Sequence, residues 1–334
     1  MTTSMSSRVL GRTGRSVSVI GLGTWQLGAD WGQVDLGEAR AVLEASAEAG
    51  VTFYDTADVY GDGRSERIVG EFARAHSDDG FVVATKMGRR AEQVPANYVE
   101  ANFRAWLDRS RRNLGVDTID LVQLHCPPSE VIADDATYDV LDQLVSEQVI
   151  AAYGVSVETC DQALDAISRP GVASVQIVFN AFRRKPLERV LPAAIEAGVA
   201  IIARVPLASG LLTGRYTTHT TFAPDDHRNY NRDGSAFDVG ETFAGVPFEV
   251  GVHAASQFRA LTDGLGLDAT TAQVALAWCV QQPGVTTVIP GARNAEQAKA
   301  NARAAALRPL GEDMLASIAE IYDATIRDLV HDRW

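Results

Sequence analysis

The sequence predicts an α/β fold in which one domain, spanning residues 1–334, forms a closed (β/α)8 barrel. Short β-rich runs alternate with longer amphipathic runs along the chain, a pattern typical of parallel strands joined by crossover helices. Three amphipathic runs end just before a glycine, at Gly50, Gly115 and Gly198, where helices commonly terminate. The chain length suits one such barrel, because α/β barrels commonly form single units of about 250 residues or more.

Eight predicted strands alternate with eight predicted helices. The strands are predicted at residues 17–22, 52–54, 81–85, 118–124, 151–155, 174–179, 200–203 and 286–289. The helices are predicted at residues 37–49, 65–75, 96–114, 137–147, 160–168, 187–197, 269–282 and 295–306. Two further elements extend the barrel: an N-terminal β-hairpin over residues 8–19, which turns at Thr13-Gly14, and a C-terminal helix near residues 313–329.

Two segments depart from this alternation. Residues 1–7 are small and polar, and we expect a loose tail there. Residues 209–251 are rich in Gly, Thr, Asp, Asn and Pro, and so long a stretch without regular structure is usually a functional loop or an insert. Because this stretch follows the seventh strand, we interpret it as an active-site loop insertion. A passive surface insertion is the alternative.

Composition and charge exclude several classes of partner. The chain has 30 lysines and arginines against 43 aspartates and glutamates, a formal charge of −13, so most of its surface repels nucleic-acid phosphates and anionic lipids. No uncharged apolar run approaches the roughly 18 residues that a membrane-spanning helix needs, and no secretory signal follows Met1. We therefore expect no nucleic-acid partner and no membrane partner. The sequence leaves the oligomeric state open.

Cysteine usage indicates a reducing compartment. The three cysteines, Cys126, Cys160 and Cys279, are far apart, odd in number and without CxxC spacing. This spacing argues against a disulfide framework and against a zinc site. We expect no metal site and a cytoplasmic location.

The glycine-rich run at Gly21-Leu22-Gly23 does not match the Rossmann dinucleotide-binding fingerprint. The third glycine of that fingerprint would stand at position 26, which is Gln26. No acidic residue follows at the required distance. The sequence therefore does not predict a Rossmann fold.

Polar side chains stand where three successive strands are predicted to end. Asp55 follows the second strand, Lys86 closes the third and His125 closes the fourth, while Tyr60 lies in the loop after Asp55. In a βα barrel these strand ends lie on the face where catalytic side chains collect. Singly, each residue has an ordinary structural interpretation: a solvated lysine, a capping aspartate or a buried core histidine. Their position at three successive strand ends favours a shared catalytic role.

Together the four residues can exchange a proton with a bound carbonyl compound. A tyrosine hydroxyl has an ordinary pKa of about 10, so proton exchange near neutral pH needs a nearby cation that stabilises the phenolate. Lys86 supplies that cation, and Asp55 can hold its ammonium group by a charge-assisted hydrogen bond. His125 would donate to the carbonyl oxygen or orient it.

Motifs along nearly the whole chain resemble those of the aldo-keto reductases. They occur in the family's order, and their combination is specific. The matching segments are DTADVYG at 55–61, ATK at 84–86, LGVD at 114–117, IDLVQLH at 119–125, GVS at 154–156, Gln176, PLASGLLTG at 206–214 and IPGAR at 289–293 with Gln297 and Asn301.

This resemblance implies a TIM barrel that binds NADP(H) in an extended pose and acts on a small carbonyl or alcohol substrate without a metal. It also implies Tyr60 as general acid, with Lys86 and Asp55 as its modulators and His125 orienting the carbonyl. Ser156 and Gln176 would contact the nicotinamide carboxamide, and Arg293 would pair with the 2′-phosphate. The full set of cofactor contacts implied is Thr24, Trp25, Asp55, Ser156, Gln176, Arg204, Pro206, Leu207, Ser209, Gly210, Leu211, Gly214, Arg215, Gly291, Ala292, Arg293, Gln297 and Asn301.

Two positions depart from the family pattern, both in the nicotinamide half of the site. Many relatives have Asn where this chain has Val157, and many have a stacking aromatic residue where it has Arg204. The planar guanidinium of Arg204 can lie over the nicotinamide ring; alternatively, it pairs with an acid or with the cofactor's phosphates.

Two questions about function stay open at this stage. An alternative to an enzyme is an NADP-binding regulatory or redox-sensing subunit of the same fold, as relatives of this fold serve on potassium channels. The sequence does not identify the substrate. We expect its pocket to be lined by Trp25, Pro127-Pro128, the 209–251 segment, His331 and Trp334.

Overall fold

Eight parallel strands form a barrel in the computed structural model, which describes residues 5–28, 34–264, 266 and 268–334. They are β3 (Leu22–Gly23), β4 (Phe53–Asp55), β5 (Val82–Met87), β6 (Leu121–His125), β7 (Tyr153–Ser156), β8 (Val172–Val178), β9 (Ala200–Arg204) and β10 (Val285–Val288). Each strand pairs with the next along the chain. Parallel bridges from Ile20 to Val288 and from Gly23 to Gly291 close the ring, which confirms the predicted barrel.

Helices alternate with these strands and surround them. The α-helices are α1 (Leu36–Glu48), α2 (Arg64–Ala75), α3 (Glu100–Leu114), α4 (Ser129–Ala133), α5 (Asp135–Ser146), α6 (Cys160–Ile167), α7 (Val190–Ala197), α8 (His227–Tyr230), α9 (Phe248–Gly264), α10 (Thr271–Val280), α11 (Ala295–Arg303), α12 (Glu312–Thr325) and α13 (Arg327–Val330). Short 3-10 turns include Trp25–Gly28, Ala208–Thr213, Val239–Glu241 and Phe243–Gly245. Within the described residues, no helix combines the length and apolar character needed to cross a membrane.

The period of two along each strand decides which side chains enter the barrel. In β5, Val82 and Ala84 belong to the inner apolar cluster, whereas Val83 and Met87 pack outward against the helices. The same alternation carries Lys86 inward above Ala84. The inward position of Lys86 lies near the carboxyl-terminal end of β5, where the candidate site lies.

A β-hairpin covers the other end of the barrel, as predicted. Its strands, β1 (Ser7–Val9) and β2 (Ser16–Ser18), pair antiparallel. Leu10 and Val17 are buried in the inner cluster, so the hairpin seals the barrel interior from below.

Several predicted boundaries are wrong. The predicted strand 17–22 is two elements, because Ser16–Ser18 pairs with β1 whereas Leu22–Gly23 pairs with β4 in the barrel. The predicted C-terminal helix 313–329 is interrupted at Ile326. The predicted tail is also too long, since Ser7 already pairs with Ser18; its residues 1–4 lie outside the described residues.

The predicted loop 209–251 contains short helical turns and runs into α9, which the sequence did not indicate. α9 begins at Phe248, so its first four residues fall within the predicted loop. Its first turn contains Gly251 and directly follows Pro247, so it continues the Gly- and Pro-rich composition of the predicted loop.

Gly11 allows the hairpin to approach the barrel. Its φ is +51°, and a Cβ there would lie 2.0 Å from the carbonyl oxygen of Ala173. Gly14 has a φ of +71°, but no described atom lies within 4 Å of the corresponding position. Both glycines adopt a left-handed backbone conformation, but only at Gly11 is there also no room for a Cβ atom.

We expect Gly11→Ala to lower the free energy of unfolding by about 2–4 kcal/mol, since left-handed strain adds to a backbone clash. Gly14→Ala is the matched control, with a loss of about 1–2 kcal/mol from the strain alone. Urea unfolding of both variants measures the difference. Equal losses would show that the hairpin does not depend on close contact at Gly11.

Candidate active site

The four predicted catalytic residues meet at the carboxyl-terminal end of the barrel. Asp55, Lys86 and His125 lie in β4, β5 and β6, and Tyr60 lies in the loop after β4. The Nζ of Lys86 donates hydrogen bonds to Asp55 Oδ1 at 2.5 Å, to the Thr56 carbonyl oxygen at 2.9 Å and to the Tyr60 hydroxyl at 3.4 Å. The lysine therefore has three oxygen partners, one of which is the phenol.

Two buried glutamines satisfy the second oxygen of Asp55. Gln123 Nε2 and Gln176 Nε2 donate to Asp55 Oδ2 at 3.1 and 2.8 Å. Sequence reasoning assigned Gln176 to the cofactor and did not single out Gln123. The available signal was a polar residue within the otherwise apolar run of β6, at an inward position between Leu121 and His125.

Electrostatics keep Lys86 charged and Tyr60 protonated. Burial favours the neutral form of Lys86, but the charge of Asp55 and its hydrogen bond outweigh burial and raise the lysine pKa. Burial also raises the pKa of Tyr60 above its ordinary value, while Lys86 opposes that effect. The phenol is therefore an acid whose anionic form is stabilised chiefly by one cation.

His125 is a neutral imidazole beside the phenol. Burial, together with the charges of Arg89, Lys86 and Arg204, holds its pKa well below the ordinary value. Its buried Nδ1 has no hydrogen-bond partner among the described residues, and its ring meets that of Tyr60 edge-on at 6.0 Å. A neutral ring carries one N–H, so it can donate to an oxygen atom in the adjacent cavity.

Most of the predicted cofactor contacts line an elongated cavity of about 580 Å³, here called the first cavity. It extends from Tyr60 and Gln176 to the start of α11. The predicted residues that line it are Thr24, Trp25, Asp55, Gln176, Arg204, Pro206, Leu207, Ser209, Gly210, Arg215, Gly291, Ala292, Arg293, Gln297 and Asn301.

Three predicted contacts do not line the first cavity. Leu211 is a fully buried core residue, and Gly214 ends the turn at Ala208–Thr213 and faces the side chain of Arg259. The Ser156 hydroxyl lies 3.5 Å from the sulfur of Cys126. Their predicted contacts to a cofactor remain predictions.

The donor groups of the first cavity suit an extended molecule with a phosphate end. Arg215, Arg228 and Arg293 lie near α11, where Asn294 caps the helix by accepting from the Gln297 N–H. Guanidinium groups and a helix start are both favourable for phosphate. At the other end the lining is aromatic and amide, which suits a flat ring with a carboxamide. These residues therefore fit a nicotinamide dinucleotide.

A second cavity, of about 640 Å³, adjoins the first. Trp25, Tyr60 and Glu241 line both cavities, so the phenol stands at their common boundary. The other residues that line the second cavity are Val59, Arg89, Ala91, Gln93, His125, Cys126, Glu158, Tyr230, Ala236, Phe237 and Asp238. Of the predicted substrate-pocket residues, Pro127, Pro128, His331 and Trp334 do not line it.

Four charged side chains form an ion-pair cluster between the two cavities. Arg204 donates to Glu158 at 2.7 Å and lies 3.7 Å from Glu241, and Arg89 lies 2.8 Å from Glu241 and 3.3 Å from Glu158. The structure thus shows one of the two alternatives for Arg204, pairing with an acid. We call Arg89, Glu158, Arg204 and Glu241 the charge cluster. Sequence reasoning missed three of its members, because they lie in loops far apart along the chain.

The charge cluster is electrically balanced. Burial opposes the charge on Glu241, but the two guanidiniums outweigh it and lower its pKa to about 2. Burial raises the pKa of Glu158. Cys126 lies within 4.8 Å of both carboxylates, yet burial raises the pKa of its thiol to about 12. These three potential metal ligands are thus engaged in ion pairing or protonated.

Trp334 fixes the segment that carries Glu241. Its indole Nε1 donates to Asp238 Oδ1 at 3.0 Å, and the Arg183 guanidinium lies 3.6 Å above its ring. Arg183 also donates to the Ala244 carbonyl oxygen at 3.1 Å. Trp334 therefore supports the cavity wall from behind.

Ser209 holds the same segment from the other side. Its hydroxyl donates to the Glu241 carbonyl oxygen at 3.2 Å and accepts from the Phe243 N–H at 3.1 Å. The start of the predicted loop insertion is thus tied to the part of the insertion that carries Glu241.

Asp58, beneath the Tyr60 loop, is a buried carboxyl group. It is 0% exposed, and neither carboxylate oxygen has a hydrogen-bond partner among the described residues. Burial and the nearby charge of Glu66 raise its pKa to about 7, against the opposing charges of Arg90 and Arg109.

Comparisons with known proteins agree with the fold. The model of the aldo/keto reductase family matches residues 19–323. An uncharacterized oxidoreductase of Mycobacterium tuberculosis is 35% identical over 298 residues, covering 86% of this chain and 84% of that protein. A probable voltage-gated potassium channel subunit beta of Arabidopsis thaliana is 28% identical over 327 residues, covering 92% and 93%.

Solved structures are similar across nearly the full length. The holo form of an aldo-keto reductase from Bacillus halodurans has a TM-score of 0.76 and 27% identity, covering 98% of this chain and 99% of that one. An aldo-keto reductase from Klebsiella pneumoniae in complex with NADPH has a TM-score of 0.71 and 25% identity, covering 96% of each chain.

Because of Asp58, we expect the free energy of unfolding to fall as the pH rises from about 4 to about 7. In that range the folded state holds a proton on Asp58 that the unfolded chain has released, so deprotonation costs folding free energy. Asp58→Asn removes this penalty. The free energy of unfolding of the variant minus that of wild type should therefore increase by about 2–4 kcal/mol from pH 4 to pH 8.

Urea unfolding at pH 4, 6 and 8 measures this difference. Asp161→Asn is the control, because the Asp161 side chain is 91% exposed, so this substitution makes the same chemical change outside the buried interior. A constant offset between Asp58→Asn and wild type would contradict the raised pKa.

Proposed function

The chain belongs to the aldo/keto reductase family, and we propose that it is an NADP(H)-dependent oxidoreductase that interconverts a small aldehyde or ketone and its alcohol. Tyr60 is the proposed general acid and base. One observation carries the proposal: the Tyr60 hydroxyl lies within reach of a buried, charged Lys86 at the common boundary of two cavities.

The first cavity is the proposed cofactor site. Arg215, Arg293 and the start of α11 would hold the phosphates, while Gln176 and Trp25 would lie beside the nicotinamide. The NADPH complex of the similar Klebsiella pneumoniae enzyme supports this choice of cofactor. When bound, NADPH supplies a hydride to the carbonyl carbon.

The chain's own residues handle the proton. A carbonyl oxygen in the second cavity would accept hydrogen bonds from Tyr60 and from the neutral ring of His125, which polarise the carbonyl group. Tyr60 then transfers its proton to that oxygen as negative charge develops. The ammonium of Lys86 stabilises the phenolate left behind, and Asp55 holds the ammonium in place. The reverse reaction uses the phenolate as base.

A regulatory subunit is a second candidate, which the Arabidopsis thaliana relative favours. Such a protein would bind the same cofactor without needing turnover. The complete arrangement of Tyr60, Lys86, Asp55 and His125 supports the enzyme. Multiple turnovers of NADPH with a carbonyl substrate would separate the two candidates, because a sensing subunit with little catalytic capacity oxidises bound cofactor at most slowly.

We expect Tyr60→Phe to lower kcat by about 10²–10⁴-fold, because the change removes only the proton donor. NADPH affinity should stay within about threefold of wild type, since the ring remains. Steady-state kinetics and NADPH titration measure the two effects.

Tyr138→Phe is the matched control. Tyr138 is buried in the outer core, and its hydroxyl has no hydrogen-bond partner in the part of the chain that the structure describes. Its kcat should equal that of wild type. A Tyr60→Phe enzyme with wild-type kcat would show that another group supplies the proton.

A further inference from the structure

We propose that the second cavity selects neutral, hydroxylated aldehydes and ketones over apolar and over anionic ones, with Arg89 and Glu158 as the residues that determine this specificity. This inference rests on the proposed function and narrows its substrate class. It comes from the charge cluster, which places fixed hydrogen-bonding groups in the wall of the second cavity, and from the aromatic side chains that stand elsewhere in that wall.

Aromatic rings form the apolar part of the wall. Trp25 stacks on Tyr60 at 5.9 Å with an interplanar angle of 20° and meets Phe237 edge-on at 5.7 Å. Such rings bury carbon-bound hydrogens without competing for the polar atoms of a substrate. A hydroxylated carbon chain can place its C–H groups against these rings and its hydroxyl groups against the polar part of the wall.

Charged groups form the polar part of the wall. The side chains of Arg89, Glu158 and Glu241 keep 19%, 16% and 10% of their surface exposed while they pair with one another. Each carboxylate accepts several hydrogen bonds, and a guanidinium donates five. A substrate hydroxyl can therefore donate to Glu158 and accept from Arg89 at the same time. The ion pairs hold both groups in position before a substrate arrives.

An apolar chain is a poor ligand for this wall. It would displace water from partly hydrated charged groups and offer no hydrogen bond in return, which leaves buried polar atoms unsatisfied. A hydroxylated chain replaces the lost water contacts. The cavity should therefore discriminate between two substrates that differ only in their hydroxyl groups.

An anionic substrate is disfavoured by the charge balance. The carboxylates of Glu158, Asp238 and Glu241 stand around the cavity against the guanidiniums of Arg89 and Arg204. Both guanidiniums already pair with carboxylates, and the whole chain carries a charge of −13. A phosphate or carboxylate on the substrate would therefore have to compete with Glu158 and Glu241 for guanidiniums that are already paired, and would lie beside those carboxylates.

Three aldehydes with the same carbon count test the inference: glyceraldehyde, propanal and glyceraldehyde 3-phosphate. We expect kcat/KM for glyceraldehyde to exceed that for propanal by at least about 10-fold, the effect of one charge-assisted hydrogen bond. We expect glyceraldehyde 3-phosphate to fall below glyceraldehyde by a similar factor. All rates are measured with NADPH in excess.

Variants then assign the selectivity to residues. Glu158→Gln keeps the shape of the side chain, and Arg89→Met keeps much of its length; both should reduce the glyceraldehyde-to-propanal ratio by at least about 5-fold, with Tyr60 and His125 unaltered. Comparing ratios cancels the hydration of each aldehyde in water. Arg104→Gln is the control, because Arg104 pairs with Glu100 and Glu147 on the outside of the barrel.

A binding measurement supplies a readout independent of turnover. Glycerol and 1-propanol are titrated against the NADP⁺-loaded protein, with tryptophan fluorescence reporting on Trp25. We expect glycerol to bind more tightly than 1-propanol in wild type and to lose that advantage in Glu158→Gln. This binding measurement also tests the inferred selectivity if Arg89→Met fails to fold.

The outcomes distinguish failure of the proposed function from failure of the inferred substrate selectivity. Failure of all three aldehydes to oxidise NADPH, with no difference between the two alcohols, would overturn the proposed function and this inference with it. Turnover with propanal equal to or above glyceraldehyde would overturn the inference alone. A preference for glyceraldehyde 3-phosphate would also overturn it. Unchanged selectivity in Glu158→Gln and in folded Arg89→Met would overturn the assignment to these residues.

Discussion

The ammonium group of Lys86 is the constraint on which the site depends. Only 1% of this side chain is exposed, and a buried charge is tolerated only when it is paired and fully hydrogen-bonded. The structure meets this demand with Asp55, the Thr56 carbonyl oxygen and the Tyr60 hydroxyl. Because Asp55 must then satisfy its own second oxygen, Gln123 and Gln176 are required as well. One buried cation thereby fixes residues from four strands, β4, β5, β6 and β8.

The ion-pair cluster of Arg89, Glu158, Arg204 and Glu241 repeats the same principle on the other side of Tyr60. Here two cations and two anions pair with one another, and the cluster lies between the first and second cavities. Its position depends on a segment held by Trp334 and Ser209. In the proposed function, the first group of charges sets the acidity of Tyr60, and in the further inference the second group selects the substrate.

Sequence alone predicted the barrel and the residues at its strand ends, because both follow from local pattern. The period of two places Lys86 inward whatever the loops do, and Asp55 and His125 end their strands directly. Longer-range features escaped prediction. Nothing in the local sequence distinguishes Arg89, Glu158 and Glu241 from other charged residues outside the strands, because only the folded barrel brings them together. The start of α9 was missed because Pro247 and Gly251 continue the composition of the preceding loop. The pairing of Arg204 could not be predicted because its partners, Glu158 and Glu241, lie 46 and 37 positions away in the sequence.

The pH dependence of carbonyl reduction in wild type and in Asp55→Asn/Lys86→Met tests the central claim most directly. The double variant removes the buried pair together, so no charge is left unpaired. If Lys86 sets the acidity of Tyr60, kcat falls, and the pH at which reduction declines moves upward, because the phenol loses the cation that stabilises its anion. An unchanged pH profile in a folded double variant would contradict the account.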